Sequence, residues 1–155
     1  MIELNKKTQQ DFLNREWVQK LLDAGVDMSD AKYLIGNLPF MDTPEDYVYL
    51  VTDIKDDMKN QVPTYTVSEL LYKLHEWIYP NINGTKYSGG LTFIKDAPFY
   101  IWYYQLTDDN GSGVAKNFMD DYISAKAEYP IESLASILIQ CHKKGIGDTG
   151  NINNK

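Results

Sequence analysis

The chain has 155 residues, enough for one domain whose folding buries roughly two-thirds of the unfolded surface. Its 43% hydrophobic and 24% charged residues exclude a chain disordered throughout, and no stretch reaches the ~18 consecutive apolar residues of a transmembrane helix. Fifteen Lys and Arg against 22 Asp and Glu leave a formal net charge of −7, which argues against nucleic acid and anionic membrane as partners, because phosphate neutralisation needs a basic footprint.

The first residues, Met1 to Lys6, contain no apolar signal core, so the expected compartment is the cytoplasm. A first helix is predicted from Asn14 to Ala24. Leu13, Trp17, Val18, Leu21 and Leu22 share one face at helical spacing. Gly25 offers a left-handed residue after the last turn, and Val26 can fold back onto Leu21. Ala31 to Ile35 is a weak strand candidate and Tyr47 to Val51 a stronger one.

Thr66-Val67-Ser68-Glu69 is a capping box, in which the Thr hydroxyl and Glu carboxylate satisfy each other's orphan amides. It opens a second predicted helix whose apolar stripe runs through Val67, Leu70, Leu71 and Leu74 to Ile78, with Pro80 as the stop. Gly89-Gly90 reads as a loop. Leu91 to Lys95 and Pro98 to Leu106, joined by a turn at Asp96-Ala97, read as a hairpin. Val114 to Ala127 fits two patterns. Val114, Phe118, Met119 and Tyr122 suit a helix, while Ile123, Ala125 and Ala127 alternate like a strand.

The last helix starts at Pro130, a favoured first-turn residue. Ile131, Leu134, Ile137, Leu138 and Cys141 form its apolar face, and Gly145-Ile146 repeats the ending of the first helix. The fold class is α+β: a small antiparallel sheet, made of the hairpin 91–106 and one or two further strands, packed against about three helices. Residues 1–148 are expected to form a single domain and 149–155 a flexible polar tail.

This order of elements carries a resemblance. A helix ending Leu21-Leu22-Asp23-Ala24-Gly25-Val26 is followed by short strands and by Pro63-Thr64-Tyr65-Thr66-Val67-Ser68-Glu69-Leu70-Leu71. An aromatic hairpin comes next, then Tyr129-Pro130-Ile131-Glu132-Ser133-Leu134 and a helix ending His142-Lys143-Lys144-Gly145-Ile146. The chain thus resembles a group of small uncharacterised proteins carried by phages and prophages of gut bacteria, over most of residues 10–148. The resemblance implies a bacterial host cell and no known activity, so it carries no catalytic or binding residue. The charged segment Asp53 to Val62 and the stretch Lys116 to Ala127 depart from the group's pattern.

Candidate sites follow from the hairpin and from the acidic residues. In Phe99-Tyr100-Ile101-Trp102-Tyr103-Tyr104, successive side chains point to opposite faces of the sheet. The more aliphatic set, Phe99, Ile101 and Tyr103, is expected to face the core. Tyr100, Trp102 and Tyr104 are then expected to face away and to serve as interaction residues, because rings of ~150–250 Å² each make a patch that wants a partner. That partner is a second copy or another protein, or a stacked ligand such as a sugar or base; the competing reading is that Val114 to Ile123 covers the rings.

Asp108, Asn110 and Ser112 with Gly113 match the opening of a calcium loop, but Met119 stands where the bidentate Glu is needed, so they remain a weak metal candidate beside a simple turn. The pairs Asp56-Asp57, Asp108-Asp109 and Asp120-Asp121 read as solvated charge. Cys141 sits on an apolar helix face and does not point with its neighbour His142. With one cysteine in the chain there is no internal disulfide and no multi-cysteine zinc site. No nucleophile elbow, phosphate loop or zinc-protease motif occurs. The expectation is a non-enzymatic accessory or interaction protein, acidic and homo-oligomeric, with no cofactor. The alternative is a small-ligand binder or carboxylate-based hydrolase with a pocket between sheet and helices, using Asp108 and Asp120.

Overall fold

A computed structural model of the chain describes residues 1–5, 8, 10–38, 45–53, 58–109 and 115–146. In chain order the elements are β1 (Ile2–Glu3), α1 (Arg15–Asp23), β2 (Tyr33–Asn37), β3 (Asp46–Leu50), a 3-10 turn (Val51–Asp53), β4 (Lys59–Thr64), α2 (Val67–Lys73), β5 (Trp77–Ile78), β6 (Asn81–Ile82), β7 (Thr85–Asp96), β8 (Phe99–Asp109), β9 (Ala115–Ala127) and α3 (Pro130–Lys143). The expected α+β class is therefore found, with two antiparallel sheets in place of one. The first sheet has the order β1-β3-β2-β4; the second has β5-β7-β8-β9, with β6 pairing on β7.

The helix ends form where local chemistry places them. Asn14 caps α1 by accepting from the Trp17 amide, and Gly25, at φ 87°, lets the Val26 amide reach the Leu21 carbonyl at 3.0 Å. Thr66 and Glu69 form both hydrogen bonds of the capping box. Gly145, at φ 77°, ends α3 in the same manner, with the Ile146 amide 2.9 Å from the Cys141 carbonyl.

Two expectations change, the Gly89-Gly90 loop lying inside β7 and the second helix ending early, and two open stretches take a definite form. Helix α2 stops at Lys73 rather than running to Ile78, because Leu74 turns to extended geometry, and Trp77 and Ile78 pair with Gly90 and Gly89 as strand β5. The charged segment before Pro63 supplies strand β4, which pairs with β2. The ambiguous stretch 115–127 is strand β9, hydrogen-bonded along β8 from Tyr100–Ala127 to Asp109–Ala115. The tail at 149–155 lies outside the described residues.

One core joins the two sheets. Ile35 and Val48 from the first sheet, Tyr104, Leu106 and Ile123 from the second, and Leu21, Leu70, Leu134 and Leu138 from the helices belong to the same buried cluster. Within this apolar volume sits an ion pair. Lys73 Nζ lies 2.9 Å from Asp30 Oδ2, with only 4% and 2% of the two side chains exposed. The Tyr65 hydroxyl donates to the other oxygen of Asp30, and the Lys73 ammonium stands 5.7 Å from the Tyr65 ring centre. One turn earlier on α2, Glu69 accepts from the Lys32 amide at 3.3 Å. The segment leading into β2 is thus tied to α2 by polar bonds in a site shielded from water, where each bond is stronger and an unpaired group costs more.

Two stability outcomes follow. Lys73→Met leaves the Asp30 carboxylate buried without its cation and should cost about 3–5 kcal/mol, whereas Asp30→Leu together with Lys73→Met should cost much less; urea denaturation measures both. At Gly89 an added Cβ would lie 2.6 Å from Leu106 Cδ2 and 2.8 Å from the Gln105 carbonyl oxygen. Gly89→Ala should therefore lower stability by about 1–3 kcal/mol, read as a fall in the denaturant midpoint.

Candidate functional site

The hairpin of β7 and β8 is built by the register Tyr87–Asp108 through Asp96–Phe99. Residues directly opposite share a face. One face therefore carries Leu91, Phe93 and Lys95 from β7, Tyr100, Trp102 and Tyr104 from β8, and Ile123, Ala125 and Ala127 from β9. The other carries Thr92, Ile94 and Asp96 with Phe99, Ile101 and Tyr103, and with Ser124 and Lys126.

The expected assignment of these faces is corrected. Tyr104 is 0% exposed, and its hydroxyl donates to the His75 carbonyl. Burial holds that phenol well above its ordinary pKa. Tyr104 is therefore a core residue and not an interaction anchor. The physical reason is α3, which packs on β8 and β9: Tyr104 and Leu106 share the buried cluster with Leu134, Ile137 and Leu138 of the helix. Trp102 is half-buried against the core, and its indole nitrogen is buried with no hydrogen-bond partner among the described residues. Tyr100 is half-buried as well.

Exposure grows toward the turn at Ala97-Pro98, and it does so on both faces. Phe93 is 41% exposed, Ile94 44% and Phe99 39%. Phe93 stacks parallel to Tyr100 at 6.0 Å and tilts against Trp102 at 4.8 Å. On the opposite face Lys126 lies 3.4 Å from Asp96 and its ammonium stands 4.9 Å from the Phe99 ring centre. The hairpin end is thus apolar above and below, with charges of both signs at its rim.

The carboxylate reading is also revised. Asp108 is buried on the core-side face of the second sheet, opposite Tyr87, rather than in an open pocket. Asn110 and Ser112, with Asp56 and Asp57, lie outside the described residues, and of Asp120 only the backbone is described. Among the described residues no group of three or more His, Cys, Asp or Glu is placed to hold a metal, and no helix is long and apolar enough to cross a membrane. Cys141 is buried in α3, and His142 instead approaches the Gly25 carbonyl at 3.4 Å.

Two hollows lie elsewhere. A cleft of about 650 Å³ on the first sheet is lined by Ile2, Tyr33, Val48, Leu50, Asp53 and Met58. A shallower groove of about 350 Å³ runs over the second sheet beside Trp77. Neither was legible as a site. Trp77 reads as a helical residue in a capped amphipathic pattern, and the signal that relocates it is the Gly89-Gly90 pair, whose missing side chains admit a close neighbour.

The chain matches no protein-family model, no curated protein and no solved structure.

The two faces of β8 should separate under mutation. Tyr104→Ala removes a fully buried ring and should cost about 3–5 kcal/mol. Tyr103→Ala, half-buried on the opposite face, should cost about 1–2 kcal/mol; thermal melting of both variants tests the assignment.

Proposed function

We propose that the protein is a non-enzymatic accessory or interaction protein, of the phage- and prophage-carried kind it resembles, acting in the cytoplasm of a bacterial host and self-associating through the tip of the β7–β8 hairpin. The observation that carries this reading is the apolar exposure of Phe93, Ile94 and Phe99 on opposite faces of one projecting turn. A single covering element can hide one face of a hairpin. Two exposed faces favour a partner that wraps the tip or pairs with it.

A second copy fits best. The tip carries Lys95 and Lys126 beside Asp96, so two tips related by a two-fold axis can match cation to carboxylate while burying the same side chains on each side. Aromatic anchors bring large area at low side-chain entropy, which suits the centre of such a contact. The net charge of −7 keeps unpaired copies from nonspecific aggregation.

The cleft on the first sheet supports a second reading, a small-ligand binder. Its volume falls in the ~300–1,000 Å³ range of small-molecule sites and its lining is mostly apolar. The nearby Tyr49 hydroxyl is buried and has no hydrogen-bond partner among the described residues.

Light scattering on the purified protein separates the readings. Self-association predicts twice the monomer mass, falling to the monomer for Ile94→Ser with Phe99→Ser, while circular dichroism stays unchanged. A wild-type monomer at the highest soluble concentration would overturn it.

A further inference from the structure

Trp77 is 53% exposed, although its position is held firmly. Strand β5 pairs Trp77 with Gly90, and the Leu91 amide donates to the Glu76 carbonyl at 2.9 Å. The indole packs over Gly90 because residue 90 has no side chain: a Cβ there would sit 3.3 Å from both Cη2 and Cζ2 of the ring. Ser88, Thr92, Gln105 and Thr107 share the face of Gly90 in the register of β7 and β8, and with Glu76 and Trp77 they line the groove of about 350 Å³.

We propose that this groove binds a neutral saccharide, with Trp77 as the stacking platform and Glu76 and Gln105 as hydroxyl-reading side chains. The lining is polar and aromatic at once, and that mixture selects the ligand. A pyranose offers a face of C–H groups to an indole and a rim of hydroxyls to its neighbours; such a ring needs both an apolar platform and closely spaced donors and acceptors. Glu76 supplies a carboxylate acceptor, Gln105 an amide with both donor and acceptor, and Ser88, Thr92 and Thr107 supply hydroxyls. An apolar ligand would strip water from these groups without replacing their hydrogen bonds. A nucleotide could stack equally well on the indole, but its phosphates would enter a groove that contains Glu76 and no Lys or Arg, on a chain of net charge −7. The backbone of Trp77 is already fixed by pairing with Gly90, which lowers the ordering cost of binding.

This site is separate from the hairpin tip, and its test is independent of self-association. Oligomers of glucose in α and β linkage, of mannose and of N-acetylglucosamine serve as probes, titrated into the full chain and followed by protein NMR or calorimetry. At least one should bind saturably in the millimolar range or tighter, shifting resonances of Trp77 and Gly90. Trp77→Ala should weaken that binding about tenfold or more, and Trp77→Phe should recover part of it. Gln105→Ala on the open face should weaken it with the melting temperature unchanged, a readout that stands even if Trp77→Ala fails to fold. Ile94→Ser with Phe99→Ser should leave sugar binding intact. The proposal is overturned if no oligosaccharide binds, if binding survives unchanged in Trp77→Ala or Gln105→Ala, or if adenosine monophosphate binds the groove more tightly than every sugar.

Discussion

The packing of α3 against β8 and β9 decides what the rest of the molecule can do. A three-stranded ribbon of β7, β8 and β9 has two faces, and here both are rich in apolar side chains. Once Leu134, Ile137 and Leu138 of α3 are buried in the core shared with Tyr104, Leu106 and Ile123, Tyr104 and Leu106 of β8 become interior, while Tyr100 and Trp102 nearer the turn stay half-buried. The odd-numbered ones are left facing outward. Everything proposed for function, the tip and the Trp77 groove alike, lies where that helix does not reach or on the side it leaves open.

The edge of the same sheet shows how the outer surface is managed. Strand β9 borders the sheet, and an unpaired edge invites uncontrolled pairing with other chains. Gln140 of α3 donates to the Ser124 carbonyl at 2.8 Å, so part of that edge is already hydrogen-bonded. Self-association by simple strand addition is thereby opposed at one point of β9, whereas the apolar tip carries no such guard. The buried Asp30–Lys73 pair plays a complementary part on the other side of the core. It ties the approach to β2 onto α2. Buried ion pairs add little net stability but penalise any arrangement that separates them, which suits a small domain with two sheets to keep in register.

The open face of the second sheet has a graded character. Near β5 it is polar around one indole; near the turn it becomes aliphatic and aromatic. A sugar-binding groove and a self-association tip can occupy one sheet because their chemistries differ, and because Ile94 lies four residues along β7 from Gly90, about 13 Å at ~3.3 Å per residue.

Local signals in the sequence were enough for the cap of α2 and the endings of α1 and α3. Thr66 with Glu69, Gly25 with Val26 and Gly145 with Ile146 act over three to five residues, where chain connectivity itself brings donor and acceptor together. The α+β class and the hairpin were legible for a similar reason, since periodicity is a property of neighbouring residues. The exposed face of β8 was not. Alternation separates Tyr100, Trp102 and Tyr104 from Phe99, Ile101 and Tyr103, but with both sets apolar it contains nothing to say which set is inside. Nor could it show that a stretch patterned as a continuing helix would leave that path after Lys73 and lay Trp77 over Gly90. Those outcomes depend on which distant surfaces meet, and burial, unlike capping, is decided only when the whole chain has closed around one core.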